Sequence, residues 1–366
     1  MVTRDEILAS FDPSGVGLDN GNLYGLPFDY DSAQIIIFGV PWEATVSYHA
    51  GTADGPDAVL RASPQLDLYD FDHPESWQQG IYYQPLGDWV RPLSDASRQQ
   101  AARVIAATEQ GLIIAEHPDL QAAVDQVNAN GQRVNGALEA ATLQALQGGK
   151  RVGVIGGDHS VPLGTIRAIA QREPEFGILH IDAHADLRRA YQGFQYSHAS
   201  IMDNVMALPQ VTRLVQVGIR DISHGEVATI AAAGGRIVTH YDPVLKRQRY
   251  GGTPWLDLCQ RIIEPLPQRV YVSFDVDGLD PKLCPHTGTP VPGGLELEEV
   301  FYLVRSLVDS GRTLIGFDVC EVGGDDWDGN VAARAVYKLC NLMGLTVKDD
   351  RPLPASASAT NPQTQW

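Results

Sequence analysis

Phe176–Arg188 reads FGILHIDAHADLR, a stretch that passes from strand to chemistry within a few residues. A short apolar run, Ile178-Leu179-His180-Ile181, delivers Asp182, His184 and Asp186 at alternate positions. In extended backbone, residues i, i+2 and i+4 point to the same side. Three metal-competent side chains therefore converge where a strand runs out into a loop. Asp carboxylates with a neutral imidazole suit a divalent first-row ion, and the absence of thiolates argues against a structural zinc knuckle. A solvated acidic turn would read the same way, and two further stretches decide between them.

The first follows a β-rich run at 152–156, which ends in Gly156-Gly157-Asp158-His159-Ser160. The second follows a run at 269–274 and reads SFDVDGLDP over 273–281, so that Asp275 and Asp277 again alternate. A further run at 313–319 ends in Asp318 and Glu321. β-rich runs at 213–218 and 236–239 complete the series, and helical patterns at 161–172, 225–233, 254–264, 296–310 and 328–343 lie between most of them. Alternation of this kind builds βαβ units. It predicts a single-domain α/β fold, a mainly parallel twisted β-sheet with helices on both faces. In such sheets ligands collect outside the carboxyl ends of the strands, where the polar residues of this chain cluster.

Upstream, Gln34–Val40 (QIIIFGV) is a continuous apolar run, as expected of a strand buried on both faces. It empties into a loop punctuated by Gly51, Gly55 and Pro56, with a helix beginning at Pro56–Ala62. Residues 65–92 are aromatic-rich, with a strand near Gly80–Tyr83; Ala96–Glu116 and Leu120–Leu146 read as covering helices. Residues 1–33 read as an irregular N-terminal arm whose Tyr24, Phe28 and Tyr30 pack on the body. Residues 34–346 read as the single main domain, and 347–366, rich in Pro, Ser, Ala and Thr, as a flexible C-terminal tail.

The formal net charge of -18 argues against a basic face for nucleic acid. No stretch approaches membrane-spanning length, and Met1–Pro13 has no apolar signal core, so a soluble cytoplasmic protein is expected. Cys259, Cys284, Cys320 and Cys340 lie far apart, as reduced thiols do and disulfide frameworks do not.

Collected, the strand ends supply His159, Asp182, His184, Asp186, Asp275 and Asp277. Six ligands, some of them bridging carboxylates, are enough for two ions about 3.5–4 Å apart. Together GGDHS (156–160), DAHADLR (182–188) and SFDVDGLDP (273–281) resemble the ureohydrolase family of arginase, agmatinase and relatives. GTADGP (51–56) and TGTPVPGGL (287–295) support the likeness, which covers about residues 34–345.

The resemblance implies an arginase-type fold with two divalent ions per chain, Mn²⁺ as a rule. By position the first ion takes His159, Asp182, Asp186 and Asp275, and the second takes Asp182, His184, Asp275 and Asp277. It implies hydrolysis of a guanidinium carbon–nitrogen bond to urea and an amine. Asp186 would pass a proton to the leaving nitrogen, His198 (YSHAS) would shuttle protons, and Glu321 (DVCEVGG) would orient the guanidinium. A homo-oligomer, trimer or hexamer, is usual in the family.

The loop Arg188–Ser197 lacks the Asn, Thr and Ser set with which arginases read an amino-acid tail, and looks like the agmatinase type. Two segments depart from that type: Val322–Asp328 after Glu321, and Pro285-His286 before TGTP. His286 would be a third imidazole near the metals or a lid over the substrate, and Trp42 and Trp327 would narrow the way in; surface and packing roles are the plain alternatives. With the N-terminal arm, these features resemble the guanidine hydrolases of the family, which cleave free guanidine and are associated with Ni²⁺. Nickel would call for metal-delivery proteins as partners. A one-zinc deacetylase of the same fold, a metal-binding regulator and a purely structural subunit are the rival readings. The complete ligand set weighs against all three.

Overall fold

The computed structural model describes residues 3–346. Among the described residues eight strands form one sheet: β1 (Ile35–Val40), β2 (Ile81–Pro85), β3 (Arg151–Gly156), β4 (Phe176–Ile181), β5 (Val211–Ile219), β6 (Ile237–Tyr241), β7 (Arg269–Asp275) and β8 (Thr313–Cys320). Every pairing is parallel, in the order β2-β1-β3-β8-β7-β4-β5-β6. The apolar runs explain this. All six residues of β1 and of β4 are buried, which requires cover on both faces.

The strand order dictates where the helices go. Right-handed crossovers that step one way along the sheet lie on one face, and those that step back lie on the other. The chain steps outward from β1 to β2 through α2 (Gly55–Ala62) after the N-terminal α1 (Arg4–Ser10). It then reverses through α3 (Val90–Glu109), α4 (Pro118–Gln147), α5 (Leu163–Ala170), α6 (Ile201–Met206) and α7 (His224–Ala232) as far as β6. It reverses again through α8 (Asp242–Tyr250), α9 (Trp255–Ile263) and α10 (Leu297–Asp309) to β8 and α11 (Asp326–Leu345). Contacts follow the same division: α3, α4, α5 and α6 touch in series, as do α2, α11, α10 and α9.

Several local expectations change. The N-terminal arm is not wholly irregular, because Thr3 and Glu6 form a capping box that starts α1. The rest of the arm is packed: Leu23, Tyr24, Leu26 and Phe28 are buried, and the Tyr24 hydroxyl donates to Ala333 O at 2.9 Å. The first covering helix begins at Val90 and ends at Glu109, not 96–116, since Pro92 fits its first turn and Gly111 turns out at φ 80°. α8 was not expected from its sequence, because DPVLKRQRY shows little apolar periodicity. The expected tail, 347–366, lies outside the described residues. No described helix is long and apolar enough to cross a membrane, and all four cysteines are buried and unpaired.

Candidate metal centre and active site

Four neighbouring central strands, β3, β8, β7 and β4, release their polar residues at one edge of the sheet. These strands are far apart in sequence, and the two reversals of the chain bring them together. His159 follows β3, Asp182–Asp186 follow β4, Asp275 ends β7 with Asp277 just beyond, and Glu321 follows β8. Glu321 and Asp186 both hold left-handed backbone, at φ 62° and 54°. For residues with a Cβ such strain costs roughly 1–3 kcal/mol and concentrates at functional sites.

The side chains form two groups that share Asp182. His159 Nδ1 lies 3.1 Å from Asp182 Oδ2, 3.1 Å from Asp186 Oδ2 and 3.3 Å from Asp275 Oδ2. His184 Nδ1 lies 3.0 Å from Asp277 Oδ2 and 3.5 Å from Asp182 Oδ1. Backbone donors hold the carboxylates in place: Ala183 N–H donates to Asp277 Oδ1 at 3.0 Å, and Asp277 N–H to Asp275 Oδ1 at 2.9 Å. His159 N–H donates to Glu321 Oε1 at 2.9 Å, while Glu321 Oε2 is buried without a partner. Gly278 lets β7's loop lie against β4, since a Cβ there would sit 2.7 Å from Asp182 N.

The electrostatics call for cations. Burial, then the Asp277 and Asp182 carboxylates, push the Asp275 carboxyl well above its usual range. Burial, then Asp182, raise Asp186 to about 6. Burial, then Asp158, raise Glu321. Burial opposes charge on His159 and His184, yet the surrounding carboxylates prevail and hold both imidazoles well above their usual value. Among the described residues the ion-pair partners of these carboxylates are imidazoles alone. So many buried acids are tolerable only with positive charge among them, and hard oxygen and imidazole donors suit divalent ions. His159, His184 and the four aspartates would hold them. Bound there, such ions supply Lewis acidity and a nucleophile from water at neutral pH.

Beside the cluster lies a cavity of about 180 Å³ lined by Ser47, His184, Asp186, His198 and Thr289, together with Arg188, Tyr191, Asp221 and Glu226. Two loops that contribute Ser47 and Thr289 to it are joined, since His49 N–H donates to Gly288 O at 3.1 Å, and Glu43 gathers the N–H groups of Gly51 and Ala53. A Cβ at Gly288 would stand 2.9 Å from Glu321 Oε2, so this loop also covers the unpartnered carboxylate. Burial, helped by His184 and His159, lowers His198 to about 3, leaving a neutral ring whose Nδ1 lies 3.2 Å from Thr45 Oγ1.

The structure thus brings the six expected ligands together with His198 and Glu321. Of the expected substrate-side residues His198 lines the cavity, whereas Glu321, His286 and Trp42 do not. The His286 side chain is 57% exposed and pairs with Asp328, its Nδ1 3.1 Å from Oδ1. Trp42 is buried in the main core, and its carbonyl accepts from Asp158 N–H at 2.9 Å. Trp327 is exposed and donates to Lys282 O. Sequence reasoning overlooked His180, whose Nε2 lies 2.8 Å from Asp182 Oδ2. The signal was present, since His180 is the one polar residue of β4 and shares Asp182's side of the strand.

The arginase-family model matches residues 33–343. The chain belongs to the arginase family. This arginase-family protein is a ureohydrolase, a metal-dependent hydrolase of guanidino carbon–nitrogen bonds. Its similar relatives include the N(1)-aminopropylagmatine ureohydrolase of Thermus thermophilus, 31% identical over 86% of this chain and 92% of the relative. The agmatinase of Serratia proteamaculans is 29% identical over 86% of this chain and 87% of its own. Among solved structures, the agmatine ureohydrolase of Thermoplasma volcanium matches with a TM-score of 0.68 at 21% identity, covering 95% of this chain and all of that one, which speaks for the fold. The arginase of Medicago truncatula matches at 0.62 and 25% identity, over 85% of this chain and 87% of that one.

Proposed function

We propose that this ureohydrolase cleaves free guanidine: guanidinium and water give urea and ammonium. The observation that carries this reading is the small size of the cavity, about 180 Å³, beside His184 and Asp186, with Ser47 and Thr289 of two hydrogen-bonded loops in its lining. A tailless substrate offers only its guanidinium for binding, so a site that encloses that group gains most from it. Glu321 Oε2, buried and unpartnered, would take a guanidinium N–H. Asp186, which lines the cavity, would pass a proton to the departing nitrogen. His198, in the cavity lining, would relay protons between the reacting groups and water, with none left over in the net reaction.

A second reading comes from the relatives, whose names point to agmatine and aminopropylagmatine. Asp221, exposed and in the cavity lining, would suit their ammonium tails. We further propose two Ni²⁺ or Mn²⁺ ions per chain, Ni²⁺ being the tighter binder for such donors. A cytoplasmic homo-oligomer, trimer or hexamer, served by metal-delivery proteins, completes the proposal. The test is urea release by metal-stripped protein reloaded with each ion. The panel is guanidine, agmatine, aminopropylagmatine, 4-guanidinobutyrate and arginine, with Asp275→Ala as the inactive control. Urea from guanidine alone supports the reading. Rapid turnover of a tailed substrate with none of guanidine refutes it.

A further inference from the structure

One layer beneath the cluster, the sheet carries a row of polar side chains among its apolar ones. In register, Thr239 on β6 stands beside Gln216 on β5, and Gln216 beside His180 on β4. His180 stands beside Ser273 on β7, and Ser273 beside Asp318 on β8. His180, Gln216, Ser273 and Asp318 are all fully buried. A polar row across five adjacent strands of a core sheet is costly unless its polar atoms are bonded, and of this row's side-chain atoms Asp318 Oδ2 alone lacks a hydrogen-bond partner.

Those bonds have one consistent direction at each end. Gln216 Nε2 donates to Ala185 O at 2.7 Å, and a carbonyl can only accept, so the orientation of the amide follows. Gln216 Oε1 then accepts from Thr239 Oγ1 at 3.0 Å, and the second N–H donates to His180 Nδ1 at 3.0 Å. With Nδ1 accepting, the ring proton sits on Nε2 and is given to Asp182 Oδ2 at 2.8 Å. From the other side, His159 Nε2 lies 2.9 Å from Ser273 Oγ, which donates to Asp318 Oδ1 at 3.2 Å. That places a His159 proton on Nε2 and turns Nδ1 toward Asp182, Asp186 and Asp275.

We propose that this row is a positioning device for one of the two metal sites. His180, oriented by Thr239 and Gln216, holds Asp182 through Oδ2, and Asp318, through Ser273, holds the His159 ring. His180 is not itself a ligand, although its atoms lie within ligand range of the cluster, because both ring nitrogens are committed. The device is one-sided. Asp182 Oδ2 is the oxygen facing His159, whereas Oδ1 faces His184, so the row serves the site of His159, Asp182, Asp186 and Asp275. The inference rests on the metal-binding part of the proposed function and not on the choice of substrate. It is tested without substrate, so failure of one leaves the other standing.

The full-length protein, stripped with chelator, is dialysed against graded Mn²⁺, and bound ions per chain are measured by plasma mass spectrometry. Circular dichroism checks the fold of each variant. Loss of an outer partner typically weakens metal binding about 10- to 100-fold. His180→Leu should weaken one of the two binding steps by that factor and leave the other unchanged. His180→Gln, whose amide can still donate to Asp182, should restore the step to within several-fold. Gln216→Leu, which touches no ligand, should shift the same step by less, and it carries the test if His180→Leu does not fold. Two ions bound with native affinity by a folded His180→Leu or Gln216→Leu would overturn the proposal. So would equal weakening of both steps in His180→Leu and His180→Gln alike.

Discussion

Replacing Glu321 by Gln separates what the carboxylate does for substrate from what it does for the fold. The amide keeps the shape and retains a carbonyl oxygen for His159 N–H, now received by Oε1 at 2.9 Å. What disappears is the negative charge at Oε2, which is buried and unpartnered beneath the cavity loops. A hydrogen bond to a charged partner contributes about 1.5–3 kcal/mol. The substituted NH₂ also faces guanidinium donors with a donor of its own, so a loss of about 2–4 kcal/mol in transition-state binding is expected. At about 1.4 kcal/mol per tenfold, that is roughly a 30- to 1000-fold fall in kcat/KM for guanidine. Stability should move the other way. Glu321 is raised because burial and neighbouring acids disfavour its charge, so metal-free Glu321→Gln should melt at or above the temperature of the metal-free parent. Steady-state urea release, ion content and thermal melts in chelator read the three quantities. Undiminished kcat/KM would refute the assignment of Oε2 to substrate. Loss of both ions from the variant would show that Glu321 instead serves the metals.

Gly278→Ala should disturb the centre without altering a ligand. Its Cβ would meet the Asp182 backbone at 2.7 Å, and overpacking of this kind costs about 1–3 kcal/mol, read by urea denaturation in chelator alongside weaker Mn²⁺ uptake. Unchanged stability and uptake would mean that the β4–β7 approach is slack. His286 should titrate above the ordinary imidazole value, chiefly through its hydrogen bond to Asp328. Burial raises Asp328's own carboxyl, but on the exposed ring the attraction prevails. The pair's contribution is then full below the unfolded imidazole value and is lost as pH rises through the raised one; NMR titration against Asp328→Asn checks this, and identical curves would sink it. The four thiols are buried, with burial raising every one, so a thiol reagent should find none in the native protein and all after denaturation.

The sequence by itself determined what depends on neighbours along the chain. The i, i+2 spacing singled out Asp182 with His184 and Asp275 with Asp277, although β4 ends at Ile181 and Asp277 sits in a 3-10 turn and not in extended backbone, and the strand–helix rhythm required a parallel sheet with cover on both faces. Where local periodicity is weak it failed: DPVLKRQRY gives no sign of α8, and the capping box that starts α1 passed unread. Tertiary structure decided which strands are neighbours. Only the order β3-β8-β7-β4 brings His159, Glu321, Asp275 and Asp182 to one point, and pairing across many residues of intervening chain is not a local property. The same pairing aligned Thr239, Gln216, His180, Ser273 and Asp318 into one row. It also set His286 beside Asp328 and Trp42 in the core, away from the cavity. A side chain's chemistry is written in the sequence, but its partner is set by packing between elements distant along the chain.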